Sequence, residues 1–306
     1  MLLDAIFFDV DDTLFSTSEF ARRARRASVE AMVEVGLQMA PDQLEAELKE
    51  VVAEFSSNYD HHFDQLLRRI PRRFYKGVNH AVLVAAGIQA YHETKEQHLR
   101  PYADAVALLR DLAGLPDPGV VRGVITSGLS VKQAEKLLRL GIYRYLTPTA
   151  IYISDQIGIN KPNVKLYRRA CSDLNLKPAR CVYVGDRMTR DVDPANALGL
   201  VTVHITRGGR HADEVGETEP THRVSDFEQL RAVLRERYEL PLPESAEAGE
   251  GPARAREAQA AERTRLGTPE TARAGGRDED DDDDDDDHED HDRASAPAQG
   301  AEAASA

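Results

Sequence analysis

The sequence is poor in cysteine, in long apolar runs and in targeting signals. Its 306 residues include two cysteines, Cys171 and Cys181, which are too few for a disulfide framework and favour a reducing compartment. The longest apolar run, residues 81–88, is far shorter than the roughly 20 residues of a membrane span. The first twelve residues turn acidic where a secretory signal needs a basic start. These absences predict a cytoplasmic protein with no membrane partner.

Excess charge is also scarce outside the carboxyl-terminal part of the chain. Residues 243–306 hold 20 acidic residues and 7 arginines, which leaves 33 acidic and 32 basic residues in 1–242. A near-neutral body gives no field that attracts nucleic acid, and the acidic tail would repel it. Because residues 243–306 have almost no large apolar side chains, burial cannot offset their chain entropy. We therefore predict a disordered acidic tail and no nucleic-acid partner.

The body alternates between strand and helix patterns, with one helical stretch inserted. Hydrophobic residues make up 41% of the chain, enough for a sizeable core. A short apolar run predicts a strand at 3–8, and apolar i, i+4, i+7 spacing predicts helices between 16 and 99. Later runs predict strands at 120–125, 181–184 and 201–205 and helices at 103–113, 132–140, 164–174, 191–198 and 227–237. This alternation is typical of an α/β fold with a parallel sheet covered on both faces.

Polar residues follow the predicted strands at their carboxyl ends, where parallel sheets bind ligands. They are Asp9 and Asp11 after the first strand, Thr126 and Ser127 after the second, Lys161 before the helix at 164, and Asp186 and Asp191 after the strand at 181–184. Carboxylates suit Mg²⁺, while lysine and hydroxyl groups suit phosphoryl oxygens. A carboxylate that is free to attack can form an aspartyl-phosphate. The pattern therefore predicts phosphoryl chemistry at this edge of the sheet.

Four motifs in this order, DVDDT, TSG, KP and GDRMTRD, resemble those of the haloacid dehalogenase-like hydrolase superfamily. The helical stretch between the first two is similar to the helical cap of its subfamily I. The segment SNYDHHFD and the TSG motif are most similar to archaeal phosphatases of the glyceraldehyde 3-phosphate phosphatase type. The resemblance implies a Rossmann-like core of residues 1–15 and 100–242, a cap of residues 16–99 and a tail of residues 243–306.

The resemblance also implies Mg²⁺-dependent hydrolysis of a small phosphorylated metabolite, with a role for each aspartate. Asp9 would be the nucleophile and a metal ligand. Asp11 would donate a proton to the leaving oxygen, then activate water, and would bind the metal through its carbonyl. Asp186 would be the third metal ligand, and Asp191 would support it without binding the metal directly.

The remaining three residues would contact the phosphoryl group. Thr126 would hydrogen-bond to it, with help from the Ser127 N–H. Lys161 would bridge the nucleophile and the phosphate. A carboxylate at position 11 favours ester hydrolysis, because dehalogenases of the superfamily lack an acid there.

Several alternatives stay open at this point. The aspartates and the hydroxyl pair could cap turns or helix starts, as Asp12 also could, and the lysine could be a solvated loop residue. The motifs also fit a phosphosugar mutase, or a catalytically idle protein that acts through interactions. The chain could be a monomer or a homodimer.

Two features of the predicted cap also allow two interpretations each. Residues 59–62 could project toward the site or begin a helix in solvent. Arginine clusters at 22–26 and 68–73 could form ion pairs along helix faces or an anion-attracting rim.

Overall fold

In the described part of the chain, six strands form one sheet. The computed structural model describes residues 2–207, 211 and 213–244. The strands are β1 (Ala5–Phe8), β2 (Val121–Thr126), β3 (Ile151–Ile153), β4 (Cys181–Gly185), β5 (Val201–Ile205) and β6 (His222–Val224). All pairings are parallel, in the order β3-β2-β1-β4-β5-β6. The tail that was predicted to be disordered lies, from residue 245 onward, outside the residues that the structure describes.

The strand β1 lies between β2 and β4 and is buried on both faces. Because side chains alternate along a strand, Ile6 and Phe8 pack into the core on one face, and Ala5 and Phe7 into the core on the other. Complete burial of the two phenylalanines contributes about 2–3 kcal/mol each. Gly123 of β2 makes this packing possible, since a Cβ there would lie 2.5 Å from the Phe7 ring.

Helices cover both faces of the sheet, which confirms the predicted α/β fold class. They are α1 (Thr17–Glu34), α2 (Pro41–Phe55), α3 (His62–Arg69), α4 (His80–His98), α5 (Ala103–Ala113), α6 (Ser130–Arg139), α7 (Ser154–Ile157), α8 (Val164–Asp173), α9 (Asp193–Leu198) and α10 (Phe227–Tyr238). Apolar side chains of α5 and α10 pack on one face, and those of α8 and α9 pack on the other.

Helices α1 to α4 form a helical insertion, residues 17–98, with an apolar core of its own. That core includes Val29, Met32, Leu44, Leu48, Leu66, Leu67 and Leu83. The first helix begins after Ser16, whose Oγ accepts a hydrogen bond from the Glu19 N–H. The Oδ1 of Asp12 accepts another from the Thr17 N–H at 2.8 Å. The capping interpretation of Asp12 is therefore supported.

The structure differs from the sequence-based prediction in four elements, one of which is the short helix α7, which was not predicted. The strands β3 and β6 have three residues each, too few for a periodic pattern to show. The helix predicted at 191–198 instead begins as a π-helical turn, Met188–Val192, that continues into α9. In the described part of the chain, no helix combines the length and the apolar character needed to cross a membrane.

Candidate active site

A cleft of about 650 Å³ opens at the carboxyl ends of β1, β2 and β4. All seven residues singled out from the sequence line it: Asp9, Asp11, Thr126, Ser127, Lys161, Asp186 and Asp191. The backbone of Asp9 is fixed because its N–H donates to the Val184 carbonyl at 2.8 Å, which continues the pairing of β1 with β4. The parallel sheet thus brings together side chains that are up to 182 positions apart in the sequence.

Lys161 lies between two of the carboxylates. Its Nζ is 2.7 Å from Asp9 Oδ1 and 2.9 Å from Asp191 Oδ1. The residue is 5% exposed, so it is not a solvated loop lysine. Burial alone would lower the pKa of Lys161, but Asp191 and Asp9 raise it above its ordinary value. Arg190 holds the backbone in place by donating to the Lys161 carbonyl at 2.9 Å.

Three aspartates form a compact group beside this lysine. Asp9, Asp186 and Asp191 each place a carboxylate oxygen within 4.8 Å of the other two. In the part of the chain that the structure describes, no hydrogen bond or ion pair engages the Asp186 carboxylate. Its carbonyl accepts from His204 Nε2 at 2.9 Å. Because Arg223 donates to Nδ1 of that histidine at 3.0 Å, Nε2 carries the proton.

Asp191 is held by donors on both of its oxygens. Besides Lys161, its Oδ1 accepts from the Tyr183 hydroxyl at 3.1 Å, and its Oδ2 accepts from the Arg187 N–H at 3.0 Å. The side chain lies directly over Gly185, where a Cβ would be 2.5 Å from the Asp191 carboxyl carbon. With both oxygens engaged by protein groups, Asp191 is suited to positioning Lys161 and the turn.

Burial and mutual repulsion change the protonation of two of these carboxylates. Burial, followed by the charges of Asp191 and Asp9, raises the pKa of Asp186 to about 8. Burial also raises the pKa of Asp9 to about 6, although Lys161 acts to lower it. With all three carboxylates ionised, the group would carry more negative charge than one lysine compensates. A hard divalent cation with oxygen ligands fits this set of donors.

Asp11 contacts α6 rather than the group of three aspartates. The Nζ of Lys136 lies 2.6 and 2.8 Å from its two carboxylate oxygens. Gln133 Nε2 donates to Oδ2 at 2.9 Å, and Thr17 Oγ1 donates to Oδ1 at 3.0 Å. Burial acts to raise the pKa of Asp11, but Lys136, Gln133 and Thr17 together lower it.

Thr126 and Ser127 form the part of the cleft that follows β2. Thr126 is fully buried, and within the described residues its Oγ1 has no hydrogen-bond partner. The helix α6 begins at Ser130 without a side-chain cap, so the capping interpretation of this pair is wrong. The Ser127 hydroxyl donates to Asn160 Oδ1 at 2.6 Å. An unsatisfied buried hydroxyl facing the cleft is suited to an oxygen-rich ligand.

The helical insertion supplies the rim of the cleft through the loop between α2 and α3. Ser57 and Asn58 of this loop line the cleft. The loop contacts α6, because Lys132 Nζ lies 2.6 Å from Asp60 Oδ1. His62 begins α3, and its Nε2 lies 2.8 Å from the Ser56 carbonyl. Residues 59–62 therefore match the interpretation as a helix start.

Several residues around the site were not predicted. Gln133 and Lys136 lie three positions apart on a predicted helix, so the sequence places them on one face. That this face meets Asp11 depends on tertiary packing, for which the sequence carries no signal. His204 likewise follows from strand pairing. Only Arg190, inside the GDRMTRD motif, could have been singled out from the sequence.

Comparison with known proteins agrees with the four motifs. A family model described as haloacid dehalogenase-like hydrolase matches residues 3–199. The glyceraldehyde 3-phosphate phosphatase of Methanopyrus kandleri is 43% identical over 244 residues, which cover 77% of this chain and 98% of that protein. The protein of the same name from Methanothermobacter thermautotrophicus is 35% identical over 237 residues, 76% of this chain and 100% of that protein. The resemblance inferred from the sequence is confirmed.

Solved structures give the same architecture. A haloacid dehalogenase-like family hydrolase from Xanthomonas campestris matches with a TM-score of 0.55 and 21% identity, over 76% of this chain and 95% of that one. A phosphatase of the same family from Thermococcus onnurineus matches with a TM-score of 0.53 and 22% identity, over 76% and 98%. At these identities the likeness shows the fold alone, and it confirms the Rossmann-like fold class.

Proposed function

The chain belongs to the haloacid dehalogenase-like hydrolase family, and we propose that it hydrolyses a small phosphorylated metabolite through an aspartyl-phosphate on Asp9. It is a phosphoric monoester hydrolase, as its phosphatase relatives indicate. One observation carries the mechanism: the buried Lys161 Nζ lies 2.7 Å from Asp9 Oδ1 at an edge where two further carboxylates converge. A buried ammonium beside a nucleophile can also bind the oxygens of the phosphoryl group that the nucleophile attacks.

In the first step, a carboxylate oxygen of Asp9 attacks phosphorus while the bond to the ester oxygen breaks. Lys161 balances charge on the nucleophile and the phosphoryl oxygens. The Thr126 hydroxyl, buried and without a partner among the described residues, donates to one of those oxygens. The chain contributes positioning and charge, which dominate phosphoryl transfer.

Asp11 moves the protons. It donates one to the leaving oxygen and, in the second step, accepts one from the water that attacks the aspartyl-phosphate. Its contacts with Lys136 and Gln133 at 2.6 to 2.9 Å orient the carboxyl group. Because they also lower its pKa, they favour the base form that the second step uses, and the acid form of the first step must take up a proton when the substrate binds.

Asp9 and Asp186 would hold Mg²⁺, together with the carbonyl of Asp11. The ion would supply positive charge that offsets the nucleophile and the phosphoryl oxygens. Two features of this chain fit the ion: the Asp186 carboxylate without a protein partner in the described part, and its pKa raised to about 8. Asp191 would support the site without binding the ion, because its oxygens already accept hydrogen bonds from Lys161, Tyr183 and Arg187.

For the substrate we propose glyceraldehyde 3-phosphate or a similar phosphosugar, since relatives that this chain covers almost fully carry that name. Residues 16–99 would act as a cap over the core of residues 1–15 and 100–242. Thr17, Ser57 and Asn58 of the insertion line the cleft. Of these, Ser57 and Asn58, on the loop between α2 and α3, would contact the organic part of the substrate. We expect this reaction in the cytoplasm.

Replacing the nucleophile tests the proposal. Asp9→Asn should lower phosphate release from p-nitrophenyl phosphate by at least roughly a thousandfold, because the amide does not attack. Asp4→Asn is the matched control: the same change at the opposite end of β1, where Asp4 pairs with Arg180 at 2.6 Å. Acid quenching with phosphorus-labelled substrate should leave label on the wild type and none on Asp9→Asn. Wild-type turnover in that variant, or activity unaffected by a chelator, would refute the mechanism.

A panel of phosphorylated metabolites tests the substrate. Glyceraldehyde 3-phosphate should give the largest kcat/KM, above phosphoserine and pyrimidine nucleotides. A preference for another compound would overturn the substrate and leave the mechanism intact. Product analysis with a bisphosphate activator separates hydrolysis from a mutase reaction.

A further inference from the structure

A second concave site lies on the helical insertion, on residues that the proposed reaction does not use. It encloses about 730 Å³ beside the end of α3, the turn at Arg72–Tyr75 and the start of α4. Its lining includes five groups that are or can be cationic and no acidic residue: Arg68, Arg72, Arg73, Lys76 and His80. We propose that this basic pocket binds a small anion that carries two or more phosphate groups.

The charges of the basic pocket are not neutralised by the protein. In the described part of the chain, the side chains of Arg68, Arg72 and Lys76 make no ion pair or hydrogen bond. The guanidinium of Arg73 lies 4.8 Å from the Phe74 ring centroid. Stacking of this kind holds a guanidinium in place while leaving its N–H groups available to an acceptor. Like charges around one concavity repel one another, and an anion placed among them relieves that repulsion.

Neighbouring arginines are arranged differently, which sets the basic pocket apart. Arg69 pairs with Glu50 at 3.4 Å and also with Glu54. In the other arginine cluster, Arg23 pairs with Glu19 at 2.6 Å and Arg26 with Glu30 at 2.5 Å. Ion pairs along helix faces thus account for these arginines. They do not account for those that line the basic pocket.

The ligand class follows from size and exposure. The five groups are exposed on the surface, and a single exposed ion pair contributes little to binding. Useful affinity therefore needs several contacts at once. Guanidinium groups favour phosphate oxygens because they donate paired hydrogen bonds. A pocket of about 730 Å³ lined by five such groups exceeds what one orthophosphate can contact, which points to an oligophosphate.

This site is independent of the cleft that holds Asp9. The two cavities share no lining residue. Binding at the basic pocket can therefore be measured without turnover, and the outcome does not depend on the proposed phosphatase mechanism.

Isothermal titration of tripolyphosphate into the full-length protein tests the proposal, at low salt and with a chelator present. The wild type should bind one equivalent, and the double variant Arg68→Ser/Arg72→Ser should bind at least about tenfold more weakly. The control Arg22→Ser/Arg23→Ser removes two positive charges from the same insertion outside the basic pocket, and its affinity should stay within about twofold. The single variant Lys76→Ser should also weaken binding of tripolyphosphate.

Separate titrations identify what the basic pocket recognises. ATP and tripolyphosphate should compete, and orthophosphate should bind more weakly than either. Three results would overturn the proposal: no saturable binding of tripolyphosphate, equal weakening in both double variants, or orthophosphate binding as tight as tripolyphosphate. A lower melting temperature of Arg68→Ser/Arg72→Ser with unchanged binding would show that these arginines serve only the carboxyl end of α3.

Discussion

Asp11 illustrates, for a single residue, how a helix outside the motifs can orient a carboxyl group that is proposed to be catalytic. Gln133 is 3% exposed, and its Nε2 donates both to Asp11 at 2.9 Å and to the Ser127 carbonyl at 2.7 Å. One amide therefore ties the proton-transfer residue to the loop that would bind the phosphoryl group. Lys136 completes the arrangement with contacts to both carboxylate oxygens.

Removing the lysine should impair proton transfer more than folding. We predict that Lys136→Met lowers kcat on glyceraldehyde 3-phosphate by roughly 10-fold to 100-fold, because a misplaced acid loses part of its catalytic effect. The loss should be smaller on p-nitrophenyl phosphate, whose leaving group needs less protonation. Lys165→Met, the same change at an exposed lysine of α8 that does not line the cleft, should keep kcat within about threefold. Equal losses on both substrates would indicate a structural role only.

The site residues predicted from the sequence are those whose chemical type and position relative to a strand or helix are enough to place them in the site. Asp9, Thr126, Lys161 and Asp186 each follow a strand or precede a helix, so parallel-sheet geometry alone brings them to one edge. Lys136 and His204 were not predicted. Their roles arise from contacts across more than 15 positions of the chain, and a lysine on a helix or a histidine on a strand has no local pattern that indicates such a contact.

At the scale of elements, the end of β4 and the π-helical turn after it set the position of Asp191. The turn Met188–Val192 widens the backbone so that Asp191 folds back over Gly185. Such turns recur at functional sites. Residues 191–198 were predicted as a regular helix. In the π-helical turn the Val192 N–H donates to the carbonyl of Arg187, five positions back, and amino-acid composition does not distinguish this bond from the four-position bond of an α-helix.

The close approach over Gly185 gives a prediction at this scale. Gly185→Ala would place a Cβ 2.5 Å from the Asp191 carboxyl group, so we expect a loss of about 1–3 kcal/mol in the free energy of unfolding and weaker stabilisation by Mg²⁺. Gly114→Ala is the control, since the nearest atom to its Cβ is 3.5 Å away, and its effect should stay within about 1 kcal/mol. Urea unfolding with and without Mg²⁺ measures both. Equal stability of the two variants would contradict this account of the turn.

Strand prediction succeeded where a strand is buried on both faces. The run at 3–8 contains β1, because a central parallel strand consists of apolar residues without interruption. The strands β3 and β6 lie at the two edges of the sheet. In β6 only Val224 is buried, so no apolar run marks it. Edge strands are short and half-solvated, and their existence depends on the neighbour they pair with.

For the whole molecule, the packing of the sheet brings several carboxylates together, and their mutual repulsion makes the stability of the folded state depend on pH. Asp9, Asp186 and Asp191 come from two strand ends, with Lys161 as the buried cation among them. Folding raises the pKa of Asp186 from 3.8 to about 8. The folded state then binds more protons than the unfolded state between these two values, so this group's contribution to stability falls as pH rises from about 4 to about 8.

A variant without the Asp186 carboxylate should lack this loss of stability at high pH. In the metal-free protein, we predict that Asp186→Asn melts at nearly the wild-type temperature at pH 4 and above it at pH 8.5. The difference should widen up to about pH 8 and then level off. Taking the difference between variant and wild type cancels groups of opposite sign, such as Asp11, whose lowered pKa favours folding at higher pH.

The same two proteins can also be compared with magnesium present. The ion should raise the melting temperature of the wild type at pH 8.5, since a ligand that binds only the folded state stabilises it, and should leave Asp186→Asn nearly unchanged. The gain should shrink as pH falls through about 8 and then about 6, because protons compete with the cation first at Asp186 and then at Asp9. A magnesium effect of the same size at pH 5 and pH 8.5, or one retained in Asp186→Asn, would show that Asp9 and Asp186 do not form the metal site.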